Sequence, residues 1–517
     1  MKRNFAFKWS AGPLAALLLF AGEAHAQLPG QSVPTQTPTA TPLPLSGRST
    51  QNGSVTAIQT PTPGTTTSVN TLNTSVQAQG AYSGSVSGAS HPFSGTLSFK
   101  EAIERGLAFN LGQVGLEQGV RQTRGQMKVV RSALLPNLNS SLTETVQQTN
   151  LRALGVRINS PFPGFSIPSV VGPFNYFDLR ARLTQTVANI TQIDNYRAAK
   201  ELVHAGEQSA QDAGDLVVLA VGGAYMQVMA AEARVRTERS QVETAKALFD
   251  QASQQRAAGV LALTDLNRSE VQLLTERQRL VSLENDLSKQ KINLARLTGL
   301  PPTDAFQIRD DVPFVAAPDL DEQAALKEAY EHRADLKAAE AQVRAARLTH
   351  AAARAERLPS LSLSADYGAI GTNPNQAHGT FAVVGTLSMP IWQGGRAGGD
   401  MEQASAALAQ RRAELEDTRS RVESEVRNAF LDLRSAAQQV EVARRNIEVS
   451  KQNLELTRQR FSAGVSDNVE VVQAQQSVSS AELDYIDSVF AHNIAKLSLA
   501  RAVGGTAENL PRFLGLH

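Results

Sequence analysis

Two strict seven-residue stripes limit what this chain can become. One runs Val221, Val228, Val235, Val242, Phe249 and resumes beyond a turn as Leu266, Leu273, Leu280, Leu287, Leu294. The other runs Val426, Leu433, Val440, Ile447, Leu454, Phe461 and resumes as Val471, Val478, Tyr485, His492, Leu499. A heptad held this long requires helices that supercoil left-handedly. Beside the second stripe stand Ala429, Ala436, Ala443 and Ser450, small enough for close approach of a neighbouring helix. The pattern from about Asp194 to Ala257 predicts a helix about 95 Å long at about 1.5 Å per residue, more than a globular domain needs. Each stripe is broken by the same tripeptide, Ala258-Gly259-Val260 and Ala463-Gly464-Val465. Glycine can end a helix in the left-handed conformation without steric cost, so the stripes predict two long helical hairpins.

The hairpins are copies. Ala102, Val120 and Pro136 match Ala325, Val343 and Pro359 at a constant shift of 223, while Tyr225, Val235, Gly259, Arg296 and Gly299 match Phe430, Val440, Gly464, Arg501 and Gly504 at 205. The chain is a duplication. The change of 18 in the shift falls in one place, roughly Asn150 to Asn175, which predicts a surface loop inserted in the first copy.

Four short stretches alternate polar and apolar residues with period two: about 137–149, 177–187, 360–370 and 381–391. In the second, Phe177, Leu179, Ala181 and Leu183 oppose Asp178, Arg180, Arg182 and Thr184; in the third, Asp366 shares a face with Ser360, Ser362 and Ser364. Segments of about 10 residues with one apolar face match strands of an outer-membrane barrel. Four strands cannot close a barrel, and an open edge is forbidden in lipid, so membrane strands here require several copies of the chain. The wet face, with Asp178, Arg180, Arg182 and Asp366, is then the lumen.

The termini and composition bound the rest. Lys2, Arg3 and Lys8, the apolar Leu14 to Phe20 and Ala24-His25-Ala26 predict a signal peptide over 1–26. Residues 27–95 are rich in Thr, Pro, Ser, Gly, Gln and Asn and are expected to be disordered. The repeats then occupy 96–300 and 321–505, with a linker at 301–320 and a tail at 506–517. A net charge of +1 with no basic stripe argues against nucleic acid as a partner, and the absence of Cys removes disulfides, thiolate metal sites and a thiol nucleophile. No catalytic, metal or cofactor constellation stands out, so the sequence predicts neither an enzyme nor a cofactor. His492 lies on the seam, where packing explains it.

An acid stands six residues after each turn glycine, Asp265 and Glu470. Both suit the first turn of a helix, where the dipole favours negative charge. In a cyclic assembly each also becomes a ring of carboxylates, which selects cations. A periplasmic coiled-coil structural or adaptor protein without a pore shares the helical features, though not the four amphipathic strands.

Over about Leu97 to Gly505 the chain resembles the TolC-like outer-membrane efflux proteins. The resemblance rests on the duplicated order helix, strand, strand, long helix, turn, helix, on Pro390-Ile391-Trp392-Gln393-Gly394-Gly395, and on the turn Ala258 to Leu266. It implies a mainly α fold with a small β part: a homotrimer whose duplicated hairpins form a periplasmic α-barrel and whose twelve strands form a β-barrel in outer-membrane lipid. It implies a passive exit duct for efflux or type I secretion, working with a periplasmic adaptor (membrane fusion protein) and an inner-membrane pump of RND, ABC or MFS type. The adaptor is expected at Gly259, Val260, Gly464 and Val465. The gate is expected at Asp265 and Glu470; a second acidic ring falls on Gln473 here, and a basic latch on Ser466. The first strand exit, Thr186-Val187-Ala188-Asn189, lacks the Pro and the Gly pair.

Overall fold

The structure is a computed structural model. It describes residues 53–62, 71–86, 95–155, 168–303, 306–309, 321–463, 465, 468–506 and 510. The expected signal peptide, the rest of the 27–95 segment, most of the linker and most of the tail lie outside these.

In chain order the elements are β1 (Val55–Thr62), β2 (Thr71–Ala78), β3 (Gly95–Leu97), α1 (Phe99–Phe109), α2 (Leu111–Ser132), β4 (Asn137–Asn150), β5 (Val170–Ala188), α3 (Ile190–Ala257) and α4 (Leu263–Thr298). Then follow β6 (Phe306–Ile308), α5 (Glu322–His332), α6 (Ala334–Ala355), β7 (Ser360–Gly371), β8 (His378–Ser388), α7 (Arg396–Ser462) and α8 (Asn468–Val503). The duplication holds at the level of boundaries: α5 and α6 begin and end 223 residues after α1 and α2, and α8 begins and ends 205 after α4. The helices α3 and α7 run 68 and 67 residues, about 100 Å each.

The chain divides into two compact units. One holds β4, β5, β7 and β8 in a single antiparallel sheet of that order, with β4 and β8 at its edges. Its cross-strand rows separate the two chemistries. Leu138, Leu183, Ala365 and Val383 form one row; Leu142, Leu179 and Ala369 another; Ala181, Tyr367 and Phe381 lie between them. This face is apolar yet solvent-exposed, with Leu138 and Leu142 each 70% exposed. Two strands depart from their expected limits, and β8 also starts three residues early, at His378. β5 starts seven residues early because part of the inserted segment pairs with β4, as in Thr149 with Val171. β8 stops at Ser388, ahead of Pro390, which has no N–H for a ladder. Gly394 and Gly395 then both take positive φ, the conformation that this exit requires of glycine. At the first exit Asn189 caps α3 instead, its side chain accepting from the Gln192 amide at 3.1 Å.

The other unit is helical. α3 packs on α4 and α8, and α8 on α7; α3 also packs on α2 and α6, and α6 on α7. The helices therefore form rows, α4-α3-α8-α7 and α2-α3-α6-α7. The largest core gathers Leu97, Phe99, Val217, Val221, Tyr225, Leu294 and Leu497. Phe99 meets Tyr225 edge-on at 5.3 Å, and the Tyr225 hydroxyl donates to the Leu97 carbonyl at 2.9 Å. α3 has a window apolar enough to cross a membrane, but 72% of it is buried in this unit, so it is a core helix. His492 is fully buried on the α8 seam; burial and the nearby Lys496 hold it neutral, its pKa lowered to about 4.

Part of the segment expected to be disordered is ordered. β1 and β2 pair antiparallel, and residues 53–62 and 71–86 strap the helical unit. Val76 seats on Gly223 of α3, and the buried Tyr82 ring covers Gly112 of α2. The Asn110 side chain donates to the Tyr82 carbonyl at 2.9 Å, and Ser85 to the Arg296 carbonyl at 2.6 Å. Two anchors and backbone pairing offset the ordering entropy that composition alone suggests is unaffordable. Arg333 is buried between Asp335 at 2.8 Å and Glu425 at 2.5 Å.

Candidate functional site at the hairpin tips

α3 ends by satisfying its own carbonyls. The Gly259 amide donates to Arg256 and the Val260 amide to Gln255, both at 3.0 Å, with Gly259 at φ +76°. This is the Schellman pairing, which needs a left-handed residue at the glycine position. At the second tip the Val465 amide donates to Arg460 at 3.0 Å, the same bond displaced by 205 residues. Gly464, Ser466 and Asp467 lie outside the described residues, so the expected latch position does too. Val260 is 80% exposed and Val465 69%, so each tip presents a bare apolar side chain.

Asp265 and Glu470 each sit in the first turn of the return helix. Both are ion-paired, and differently. Asp265 pairs with Arg268 at 3.1 Å within α4. Glu470 pairs with Arg460 at 3.3 Å across the turn, joining the two arms of the second hairpin. The copies exchange the position of the cation: Gln473 stands where the first copy has Arg268, and Gln255 where the second has Arg460. Gln473 is exposed, and its carbonyl accepts from the Ser477 hydroxyl at 3.0 Å. Sequence reasoning missed both arginines. Beneath the second tip, Leu454, Val471, Ala474 and Val478 form a small core with Phe461.

On the polar face of the sheet, three of the four expected residues meet. Arg180 pairs with Asp178 at 3.2 Å and also with Asp366 on the neighbouring strand. Arg182 stands directly across from Asp366 in register.

A family profile described as Outer membrane efflux protein matches residues 115–300 and 325–505, one match per repeat. The chain belongs to the outer membrane efflux protein family. Outer membrane protein OprJ of Pseudomonas aeruginosa is similar to it, 26% identical over 395 residues, or 75% of this chain and 79% of that protein. A membrane protein crystal structure from Pseudomonas aeruginosa superposes at TM-score 0.70 with 21% identity, over 79% of this chain and 90% of its own. The Campylobacter jejuni CmeC outer membrane channel does so at 0.67 with 17% identity, over 84% and 93%. This efflux protein is therefore an outer-membrane duct with the TolC-like fold. Both tip acids fall inside the matched repeats, whereas the strap at 53–62 and 71–86 precedes them.

Proposed function

We propose that three copies of the chain close into one duct that carries substrate passively from an inner-membrane pump, through a periplasmic adaptor, across the outer membrane. The observation that carries this is that both units end in open edges. In the sheet, β4 and β8 each have one unpaired side. In the helical rows, α4 exposes Val271, Leu274, Val281 and Ile292, and α7 exposes Leu431, Val442, Val449 and Leu456. Unpaired edges and apolar stripes of this kind call for a heterologous contact, one chain's β4 and α4 against the next chain's β8 and α7, repeated until the ring closes. The apolar sheet face then meets lipid, and Asp178, Arg180, Arg182 and Asp366 line the lumen. The TolC-like resemblance supplies the number three.

In such a ring Asp265 and Glu470 become repeated carboxylates around the bore, a cation-selective gate. Gly259, Val260, Gly464 and Val465 become the adaptor-facing tips, with Val260 and Val465 as apolar contacts for a partner helical hairpin. This reading contains no reaction and no cofactor. With no native Cys, the chain suits engineered crosslinking. Val281→Cys combined with Val449→Cys is expected to give a covalent trimer on a non-reducing gel, and neither single variant should. A species that stays monomeric under oxidation would remove this closure.

A further inference from the structure

α3 carries a buried stripe of small residues, Ala224, Ala231, Ala245 and Ala252, spaced by heptads except for one member. That member is Glu238, with 0% exposure. The Glu276 side chain of α4, also buried, lies within hydrogen-bonding reach of it. The duplication supplies an internal control. At the shift of 205 the second hairpin has Ala443 and Ala481, both buried, so the same helical packing needs no acid at either place.

The donors around this pair are already spent. Gln476 of α8 donates to Gln272 at 3.0 Å, and Gln272 donates to Glu276 at 2.5 Å. Gln475 donates to Gln241, which donates to Glu482 at 2.9 Å. Arg279 stands 3.8 Å from Glu276. Both oxygens of Glu238 and one of Glu276 accept nothing from the described residues. The other ionisable groups at this level are committed elsewhere or lie on α8. Lys451 of α7 holds Glu482 at 2.8 Å, Asp487 holds Arg234 at 2.5 Å, Arg239 pairs with Glu284 on the exposed side, and Asp484 and Tyr485 sit on α8. Two buried carboxylates facing one distant guanidinium leave an excess negative charge, which an interior does not tolerate.

We propose that Glu238 and Glu276 share one proton in the folded protein, and that this acid–carboxylate hydrogen bond is a pH-sensitive fastening of α3 to α4 in the first hairpin. Loss of the proton to alkaline solvent leaves two like charges inside the hairpin that carries the Asp265 tip. Burial, then the hydrogen bond and charge of Glu276, push the Glu238 carboxyl up to about 8. A carboxyl raised by folding stabilises fully below its unfolded value and loses that contribution as pH rises through its folded value. Asp212, raised to about 6 by burial, has largely changed before the window in which the pair acts, whereas Lys496 of α8, lowered to about 8 by burial, titrates within it and makes stability rise with pH in native and variant chains alike.

The test uses the full mature chain, purified as the assembled protein in detergent. Its melting temperature should fall by several degrees between about pH 6.5 and about pH 8.5, the interval over which Glu238 loses its proton. Glu238→Ala with Glu276→Ala gives the first hairpin the core of the second, and its melting temperature should not fall over the same interval. Infrared difference spectra of the native protein should show a protonated-carboxyl carbonyl band that disappears on alkalinisation and is absent in Glu238→Gln. Absence of that band from the native protein, its persistence in both Glu238→Gln and Glu276→Gln, or equal pH slopes in native and double-alanine chains would overturn the proposal.

Discussion

Arg333 shows what one buried cation can hold. Burial pushes Asp335 up, but the Arg333 hydrogen bond and charge, with Arg501 and Arg421, bring it below the usual carboxylate range. A depressed carboxyl contributes stability above its unfolded value and loses it as pH falls through the folded one. Arg333→Met leaves Asp335 and Glu425 with only the more exposed Arg421, at 3.5 Å and 3.8 Å. It is expected to cost about 3–5 kcal/mol, the usual cost of breaking a buried pair, read as a lower denaturation midpoint with an unchanged slope. At this level the sequence was legible where spacing is local. The acids six residues past each glycine were found, and Arg268 was within reach, three residues from Asp265 on one helix face. Arg460 was not, since it meets Glu470 only after the chain folds back. The Glu238–Glu276 pair is likewise visible only when α4 lies against α3.

Helices and strands were read well where periodicity is strong. The heptads predicted α3 and α7, and alternation predicted the faces of all four barrel strands, because a one-residue slip would turn every side chain over. The extra length of β5 was missed because the inserted residues lack that alternation and gain strand structure from pairing with β4. The strap was missed for a related reason. Its composition is that of a disordered segment, and its order comes from hollows that other elements provide. A side-chain carbon added to Gly223 would stand 2.7 Å from Val76 Cβ. Gly223→Val should therefore unseat the strap while leaving α3 helical. Limited proteolysis should cut residues 71–86 faster in the variant, and equal protection would show that Val76 is not the anchor.

The assembled duct is where selectivity belongs. Glu470→Gln removes one ring of charge and, in a planar bilayer under a salt gradient, should move the reversal potential toward zero. An unchanged potential would take Glu470 out of the gate. The number of chains in the ring was never legible in the sequence, since an open edge demands a partner without counting partners. The substrate lies beyond what the duct's residues encode.

The exchanged arginines make the two tips unequal under load. In the first, the pair Asp265–Arg268 rides on one helix and survives if the arms splay. In the second, Arg460–Glu470 ties one arm to the other, so splaying must first separate opposite charges in water. That work shrinks as added electrolyte screens them. Salt should thus soften the tip of one hairpin of each chain and spare the tip of its twin, and a ring built from near-identical rods would yield at every second tip.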